Sequence, residues 1–183
     1  MESVLEFAHT LLKNHLSKMD NSIDMTVGNG NDTLFLASIS NHVYGFDIQT
    51  QAIEITTDKL KNHNVDNVSL FLDSHENIDH YNLENIKGII FNLGYLPKGN
   101  KEITTKVSST IMAFYKALTL LKKDGICVFV VYPGHFEGQK ESQKLMQLAT
   151  QLPQKEYQVL HYEFFNQKNN PPYLIAIKKL KEA

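Results

Sequence analysis

An apolar stripe at helical spacing opens the chain. Apolar residues recur every three or four positions between residues 3 and 17, which predicts an amphipathic helix ahead of the first strand. The residues of the stripe are Val4, Leu5, Phe7, Ala8, Leu11, Leu12 and Leu16. Such a helix would cover either the sheet or a partner subunit, so a homodimer is one expectation.

Beyond this helix, short apolar or β-rich runs alternate with longer helical stretches. Polar or glycine-containing turns close each run, as is typical of strands. The predicted strands are residues 23–27, 42–46, 68–72, 88–91, 126–131, 158–165 and 173–178. The predicted helices between them are residues 32–39, 50–63, 104–122 and 138–151.

This order of elements predicts the fold class. Alternation through the first five strands indicates right-handed crossovers and a mostly parallel, doubly wound α/β sheet. Only residues 166–172 join the last two strands, too few for a helical crossover, so these strands should pair antiparallel. Five parallel strands and a C-terminal antiparallel hairpin are typical of class I S-adenosylmethionine-dependent methyltransferases. We expect one Rossmann-like domain over residues 1–183, with the helix of residues 1–20 packed on it.

Composition narrows the setting. The chain is 42% hydrophobic and 21% charged, as in ordinary soluble proteins, and it has no long apolar run. Early acids replace the basic start of a secretory signal, so we expect a cytoplasmic protein away from membranes. Cys127 is the only cysteine, which excludes an internal disulfide, and it lies in an apolar run typical of a buried thiol.

The basic residues are unusual because all 18 are lysine. Any phosphate must therefore be held by lysine, backbone N–H groups or helix ends. The net charge of −2 gives no electrostatic argument for nucleic acid, so an RNA substrate would depend on local patches.

The loop after the first strand is the first candidate for a ligand site. There Gly28-Asn29-Gly30 leads into a helix that Asn31 or Asp32 could cap. Asp47 ends the second strand, where a carboxylate could accept hydrogen bonds from both hydroxyls of a ribose. The alternatives are an ordinary strand-to-helix turn, and an aspartate that only caps the helix beginning near residue 49.

The type of cofactor needs its own argument. A dinucleotide-binding loop would have a third glycine where this chain has Thr33. An acid such as Asp32 near the helix start disfavours a pyrophosphate, whereas the amino group of S-adenosylmethionine is positive. After the third strand, Asp73 or Ser74 could bind the adenine amino group and His75 could stack nearby. The alternative there is a surface turn with a solvated histidine.

The fourth strand ends in the most distinctive segment, Asn92-Leu93-Gly94-Tyr95. Amino-directed methyltransferases carry a D/N-P-P-Y/F motif at this place, where an amide oxygen accepts a hydrogen bond from the substrate amine. The match here is one of position and residue type only, and the alternative is a structural turn before the helix predicted from residue 104. Tyr95 offers an aromatic face to a base or sulfonium. Residues 170–173 match the motif letter for letter, but they lie in the predicted hairpin, where they could wall the substrate pocket.

The loop after the fifth strand contains His135, which titrates near neutral pH. It could remove a proton from the substrate ammonium, contact the substrate, or do neither. Spacing typical of a metal site is absent from the sequence.

Several segments together resemble one bacterial family, once labelled "putative rRNA methylase", that includes the tRNA 5-(aminomethyl)-2-thiouridine methyltransferase of Gram-positive bacteria. The segments are residues 24–33, 45–49, 74–76, 91–97, 132–135 and 170–172. The resemblance covers essentially the whole chain and implies transfer of a methyl group to the aminomethyl nitrogen of the wobble uridine in the tRNA anticodon stem-loop. Residues 98–101 read Lys-Gly-Asn-Lys where the family is expected to have Gly-Gly-Asp-Lys, which leaves substrate contacts open.

By position, the resemblance makes Asn29, Asn31, Asp47, Gln49, Ser74 and His75 cofactor contacts. With the residues above, the expected S-adenosylmethionine site comprises Gly28, Asn29, Gly30, Asn31, Asp32, Thr33, Asp47, Gln49, Ser74, His75 and Asn92. The expected catalytic residues are Asn92, Tyr95 and His135, and the expected substrate contacts are Tyr95, Lys98, Lys101, Lys106, Tyr132, His135 and Asn170. The three lysines would form a patch for anticodon phosphates, or else a solvated loop.

Two other functions remain open at this point. One is methylation of ribosomal RNA or of a small amine, suggested by the acidic net charge and the absence of arginine. The other is a non-catalytic Rossmann-like module that binds a dinucleotide, suggested by the generic glycine loop and Asp47.

Overall fold

The computed structural model of the protein describes residues 1–94, 107–134 and 136–181. Within these residues the strands are β1 (Asn21–Asp24), β2 (His42–Asp47), β3 (Val68–Leu72), β4 (Ile86–Asn92), β5 (Ile126–Val131), β6 (Tyr157–Tyr162) and β7 (Tyr173–Lys179). The helices are α1 (Val4–His15), α2 (Asn31–Ile39), α3 (Thr50–Asn62), α4 (Val107–Leu120) and α5 (Phe136–Gln151), with a 3-10 helix at His75–His80.

The strands form one seven-stranded sheet in the order β3-β2-β1-β4-β5-β7-β6. The first five strands are parallel, and β7 runs antiparallel to both β5 and β6. The predicted mixed sheet with a C-terminal antiparallel hairpin is therefore confirmed. The chain runs from β1 outward to β2 and β3 and then crosses from β3 back over β1 to β4, so the strand order reverses beside β1 and ligands are expected beyond the carboxyl ends of these strands.

The N-terminal helix covers one face of this sheet. It begins with a capping box, in which Ser3 and Glu6 satisfy each other's backbone N–H groups. Its buried residues Ala8 and Leu12 join an apolar cluster with strands β4, β5 and β7. A Cβ on Gly88 would lie 2.6 Å from the Cδ1 atom of Leu16, so the glycine in β4 lets the end of this segment approach the sheet.

The opposite face has an aromatic core. The rings of Phe91 and Phe129 stack at 4.4 Å between centroids, and Phe114 from α4 packs on Phe129 at 5.5 Å. All three side chains are fully buried, which accounts for the continuous apolar runs of β4 and β5. None of the helices described is long and apolar enough to span a membrane. The cytoplasmic location and the homodimer stay predictions.

The main differences from the sequence prediction are two strand ends and one short helix. The first strand ends at Asp24 instead of residue 27, and the Asp24 carboxylate accepts the backbone N–H of Thr26 at 3.1 Å. The N–H groups of Met25 and Val27 still donate to the carbonyls of Ile90 and Phe46 in the neighbouring strands. The sixth strand ends at Tyr162 instead of residue 165. The 3-10 helix after β3 was not predicted; Ser74 caps it by accepting the N–H of Glu76. The described part of α4 begins at Val107, and the predicted start at residue 104 lies outside the described residues.

Candidate functional site

The glycine loop after β1 is tied directly to the tip of β2. The N–H of Gly28 donates to Oδ2 of Asp47 at 2.9 Å, and Oδ1 of the same carboxylate accepts the N–H of Gln49 at 2.9 Å. Gln49 is the residue before α3, so Asp47 does help to begin that helix. Each carboxylate oxygen can accept more than one hydrogen bond, which leaves Asp47 able to bind a ligand as well.

A side chain at position 30 would be both strained and crowded. Gly30 has φ 72°, and a Cβ there would lie 2.6 Å from Oγ1 of Thr56. The Thr56 hydroxyl in turn donates to the carbonyl of Gly28 at 3.2 Å, so a side chain of α3 fixes the backbone of the glycine loop. Gly28 also has positive φ, at 52°. This conformation is the reason for the two glycines in the sequence.

The helix that follows the loop begins without a side-chain cap. Its N-cap residue is Gly30, so the prediction that Asn31 or Asp32 caps α2 is wrong. The Asn31 amide oxygen instead accepts a hydrogen bond from Lys59, and the Asp32 carboxylate is directed to other elements. The positive end of α2 is therefore left for an anionic group.

Asp32 connects three parts of the fold although its side chain is almost fully buried. Its Oδ1 lies 2.7 Å from Nε2 of His9 on α1, and its Oδ2 accepts the amide Nδ2 of Asn92 at 2.9 Å. The His9 ring stacks on Phe35 with 3.9 Å between centroids and 9° between planes. The backbone N–H of Asn92 donates to Oγ1 of Thr26 at 2.8 Å. Asn92 is thus fixed at both its backbone and its side chain.

A second carboxylate, that of Asp24, lies in the interior close to Asp32. It is fully buried, it accepts Oγ1–H of Thr33 at 2.6 Å, and burial followed by the negative charge of Asp32 raises its pKa to about 7. Thr33 is itself fully buried, so the structure places it against Asp24, beneath the ligand-facing surface. Its predicted contact with a cofactor remains untested.

The residues after β3 form a compact acceptor group. Asp73 accepts hydrogen bonds from the Ser74 N–H, from Asn77 Nδ2 and from the Tyr81 hydroxyl, at 2.7, 2.8 and 2.9 Å. The Asn77 hydrogen bond is the main reason that the pKa of Asp73 is lowered. These contacts explain the 3-10 helix and place Ser74 at its start.

His75 points inward from that helix. Only 8% of the residue is exposed, so the alternative of a solvated histidine is wrong. Its Nδ1 lies 3.1 Å from the carbonyl oxygen of Met25, and because a carbonyl only accepts, Nδ1 carries the proton. Burial lowers the pKa of His75, which favours the neutral ring, and its Nε2 has no hydrogen-bond partner among the described residues. Within the described part of the chain, Nε2 is therefore an unused acceptor.

The remaining predicted residues divide into two groups. Tyr132 follows β5, and Asn170 precedes β7, whose first residue Tyr173 pairs with Val131 at the end of β5. Both therefore lie at the edge of the sheet to which β1, β2 and β4 also lead. Burial of its ring, then the charge of Asp32, raises the pKa of Tyr132. Tyr95, Lys98, Lys101, Lys106 and His135 lie outside the described residues.

Sequence reasoning missed His9, Thr26 and the link between Asp32 and Asn92. His9 is a polar position of an amphipathic helix, and nothing in its local pattern distinguishes it from a solvated residue. Across the described ranges, there is no group of three or more His, Cys, Asp or Glu side chains that could hold a metal ion.

Comparison with known proteins gives consistent matches. Residues 43–178 match the family model described as "Putative rRNA methylase". The chain is 33% identical over 188 residues to the Arabidopsis thaliana protein named tRNA (mnm(5)s(2)U34)-methyltransferase, chloroplastic, covering 95% of this chain and 69% of that one.

Solved structures agree in both fold and sequence. A "putative rRNA-methylase" from Clostridium thermocellum is 40% identical with a TM-score of 0.95, covering 98% of this chain and 99% of its own. A "putative methyltransferase" from Streptococcus mutans, solved in complex with SAH, is 38% identical with a TM-score of 0.93 over the same shares, 98% and 99%. The class I methyltransferase fold predicted from the strand pattern is confirmed.

Proposed function

The chain belongs to the family described as "Putative rRNA methylase", and we propose that within it the protein is a tRNA wobble-uridine N-methyltransferase. The proposed reaction methylates the aminomethyl group of 5-aminomethyl-(2-thio)uridine to give 5-methylaminomethyl-(2-thio)uridine. The coarser activity, S-adenosylmethionine-dependent methyl transfer, follows from the family and from relatives of 38% and 40% identity. It removes the alternative of a non-catalytic dinucleotide module.

The residues at the sheet edge fit S-adenosylmethionine. Asp47 can accept hydrogen bonds from a ribose diol, and the uncapped start of α2 suits the carboxylate of the methionine end. When bound, this cofactor supplies a methyl group already activated by its sulfonium. The protein therefore has mainly to hold and align a neutral nitrogen nucleophile.

The observation that carries the proposal is the orientation of the Asn92 amide. Its Nδ2 donates to Asp32, so Oδ1 is the part left to face a ligand, and no described residue donates to Oδ1. An amide oxygen accepts an N–H from a neutral amine and thereby directs the lone pair of that amine. The name of the Arabidopsis relative supports the same substrate class, an aminomethyl nitrogen of tRNA.

The proposed test is transfer of a radiolabelled methyl group from S-adenosylmethionine to bulk tRNA from a strain that lacks this gene, followed by nucleoside mass spectrometry. The expected result is label in methylaminomethyl-uridine only. Asn92→Ala should lower kcat with little change in the dissociation constant of the cofactor. Asn82→Ala, an exposed asparagine just before β4, is the matched control and should behave as wild type.

A cofactor-binding protein that leaves this tRNA unlabelled would refute the proposal. The second candidate would then be tested with ribosomal RNA and small amines in the same assay. It is favoured by the family description and by a chain with net charge −2 and no arginine. The reverse pattern for Asn92→Ala, weaker cofactor binding with kcat unchanged, would contradict the alignment of the amine by Asn92.

A further inference from the structure

Asp32 has an arrangement that neither helix capping nor cofactor binding requires. It lies in the first turn of α2, only 5% exposed, and its two oxygens contact α1 and β4 instead of the start of its own helix. We propose that Asp32 and His9 are positioning residues, which fix the orientation of the Asn92 amide so that its oxygen faces the substrate amine. This inference rests on the proposed function and extends it to the N-terminal helix.

The argument begins with the symmetry of an amide. Rotation of the Asn92 side chain by 180° about its last torsion exchanges the donor Nδ2 and the acceptor Oδ1, which are nearly equal in size. A carboxylate is only an acceptor when ionised, so it selects one of the two orientations. With Oδ2 of Asp32 at 2.9 Å from Nδ2, the reversed amide would lose this hydrogen bond and bring two acceptors together.

The backbone of Asn92 is fixed separately. Its N–H donates to Oγ1 of Thr26 at 2.8 Å, and Leu93 N–H donates to the carbonyl of Val130 at 2.9 Å. These backbone hydrogen bonds therefore fix the position of the Asn92 Cα atom, and Asp32 fixes the orientation of the side-chain amide. Without Asp32 the amide could adopt either orientation, and the reversed one would present N–H groups to the amine and engage the lone pair that must attack the methyl group.

His9 fixes the orientation of the Asp32 carboxylate in a similar way. Its Nε2 lies 2.7 Å from Oδ1 of Asp32, so the other oxygen is directed at Asn92. The stacking of His9 on Phe35, 9° from parallel, restricts the imidazole plane. The side chain of His9 is 26% exposed while that of Asp32 is 7% exposed, so the histidine is the more solvent-accessible partner of the pair. The helix α1 thus contributes to the site as well as to the core.

Three roles of Asp32 predict different results. If it bound the cofactor, Asp32→Ala would weaken cofactor binding as much as it slows methylation. If it were only structural, the loss would follow the loss of folded protein. If it positions Asn92, Asp32→Ala should lower kcat about tenfold or more, while the cofactor dissociation constant stays within about twofold.

The conservative variant gives a sharper criterion. In Asp32→Asn, the new amide oxygen can accept from Asn92 Nδ2, and its nitrogen can donate to the other neutral tautomer of His9. This variant should therefore recover most of kcat. The double variant Asp32→Ala with Asn92→Ala should be no slower than Asn92→Ala alone, because Asp32 acts through Asn92. Additive losses, or no recovery in Asp32→Asn, would overturn the proposal.

The histidine offers a test that does not require changing a buried charge. His9→Phe keeps the stacking on Phe35 without a donor, whereas His9→Gln keeps a donor for Asp32. We expect kcat to fall in His9→Phe and to be largely retained in His9→Gln, with equal thermal unfolding of the two. Equal kcat in the two variants would overturn the role of His9, including in the case that Asp32→Ala fails to fold.

A readout independent of activity separates this inference from the proposed substrate. The side-chain amide signals of Asn92, assigned by their loss in Asn92→Ala, should shift in nuclear magnetic resonance spectra of His9→Phe and stay near their wild-type positions in His9→Gln. If these spectra behave as expected while aminomethyl-uridine tRNA is not methylated, the substrate proposal fails and the positioning proposal stands. Unchanged Asn92 signals in His9→Phe would refute the positioning proposal alone.

Discussion

Replacement of Asp47 by alanine tests the cofactor site most directly. The carboxylate already accepts the N–H groups of Gly28 and Gln49, both at 2.9 Å, and is proposed to accept two ribose hydroxyls in addition. Hydrogen bonds to a charged group contribute about 1.5–3 kcal/mol each, but hydroxyls released from the protein regain water. We therefore expect a net loss of about 1–3 kcal/mol in cofactor binding, which is roughly a 5-fold to 150-fold higher dissociation constant.

The assay is calorimetric titration of the protein with S-adenosylmethionine. Because Asp47→Ala also releases the N–H of Gly28, part of the loss would come from a less ordered loop, and urea unfolding measures that part. Asp47→Asn keeps one accepting oxygen and should fall between wild type and Asp47→Ala. Asp58→Ala is the matched control, since Asp58 lies on α3 with a side chain 77% exposed. An unchanged dissociation constant in Asp47→Ala would refute the predicted role.

Two further predictions concern the foundation of the site. Gly30→Ala should lower the free energy of unfolding by about 1–3 kcal/mol, measured in urea, because φ is 72° and the new Cβ would lie 2.6 Å from Oγ1 of Thr56. Adding Thr56→Ala should recover part of this loss. Wild-type stability in Gly30→Ala would contradict the geometry. Asp24, whose pKa rises from 3.8 to about 7 on burial, keeps a proton in the folded state that the unfolded chain has lost. The free energy of unfolding should therefore fall as pH rises between about 4 and 7, and Asp24→Asn should show less of this fall; equal pH dependence in wild type and variant would contradict it.

The alternation of strands and helices was enough to predict the class of fold. The pattern works because parallel strands buried on both faces read as apolar runs, as β4 and β5 do, while α1 and α3 show one apolar stripe each. The end of β1 was less predictable. Met25 and Val27 are as buried as strand residues and still donate to the carbonyls of Ile90 and Phe46, but the N–H of Thr26 between them donates to the Asp24 side chain, which an apolar pattern does not reveal.

The candidate site was predictable where its signals are local. Glycines in a loop and an acid at the tip of a strand can be recognised from the few residues around them, as at Gly28, Gly30 and Asp47. The contacts of Asp32 are of another kind, since its partners His9 and Asn92 lie 23 and 60 positions away. The local pattern predicts that an acid at position 32 caps its helix. Only the tertiary structure shows that its carboxylate instead contacts side chains of α1 and β4.

The distribution of acids also bears on how a chain without arginine could act on RNA. Asp32 and Asp47 lie beside the loop that would hold the cofactor, since Asp47 accepts the N–H of Gly28 and Asp32 lies in the first turn of the helix that follows. Their negative charge opposes the approach of RNA phosphates to this loop. Phosphate contacts of an RNA substrate are therefore expected away from the glycine loop. The net charge of −2 is a sum over the whole chain, so it does not decide whether a local surface binds RNA.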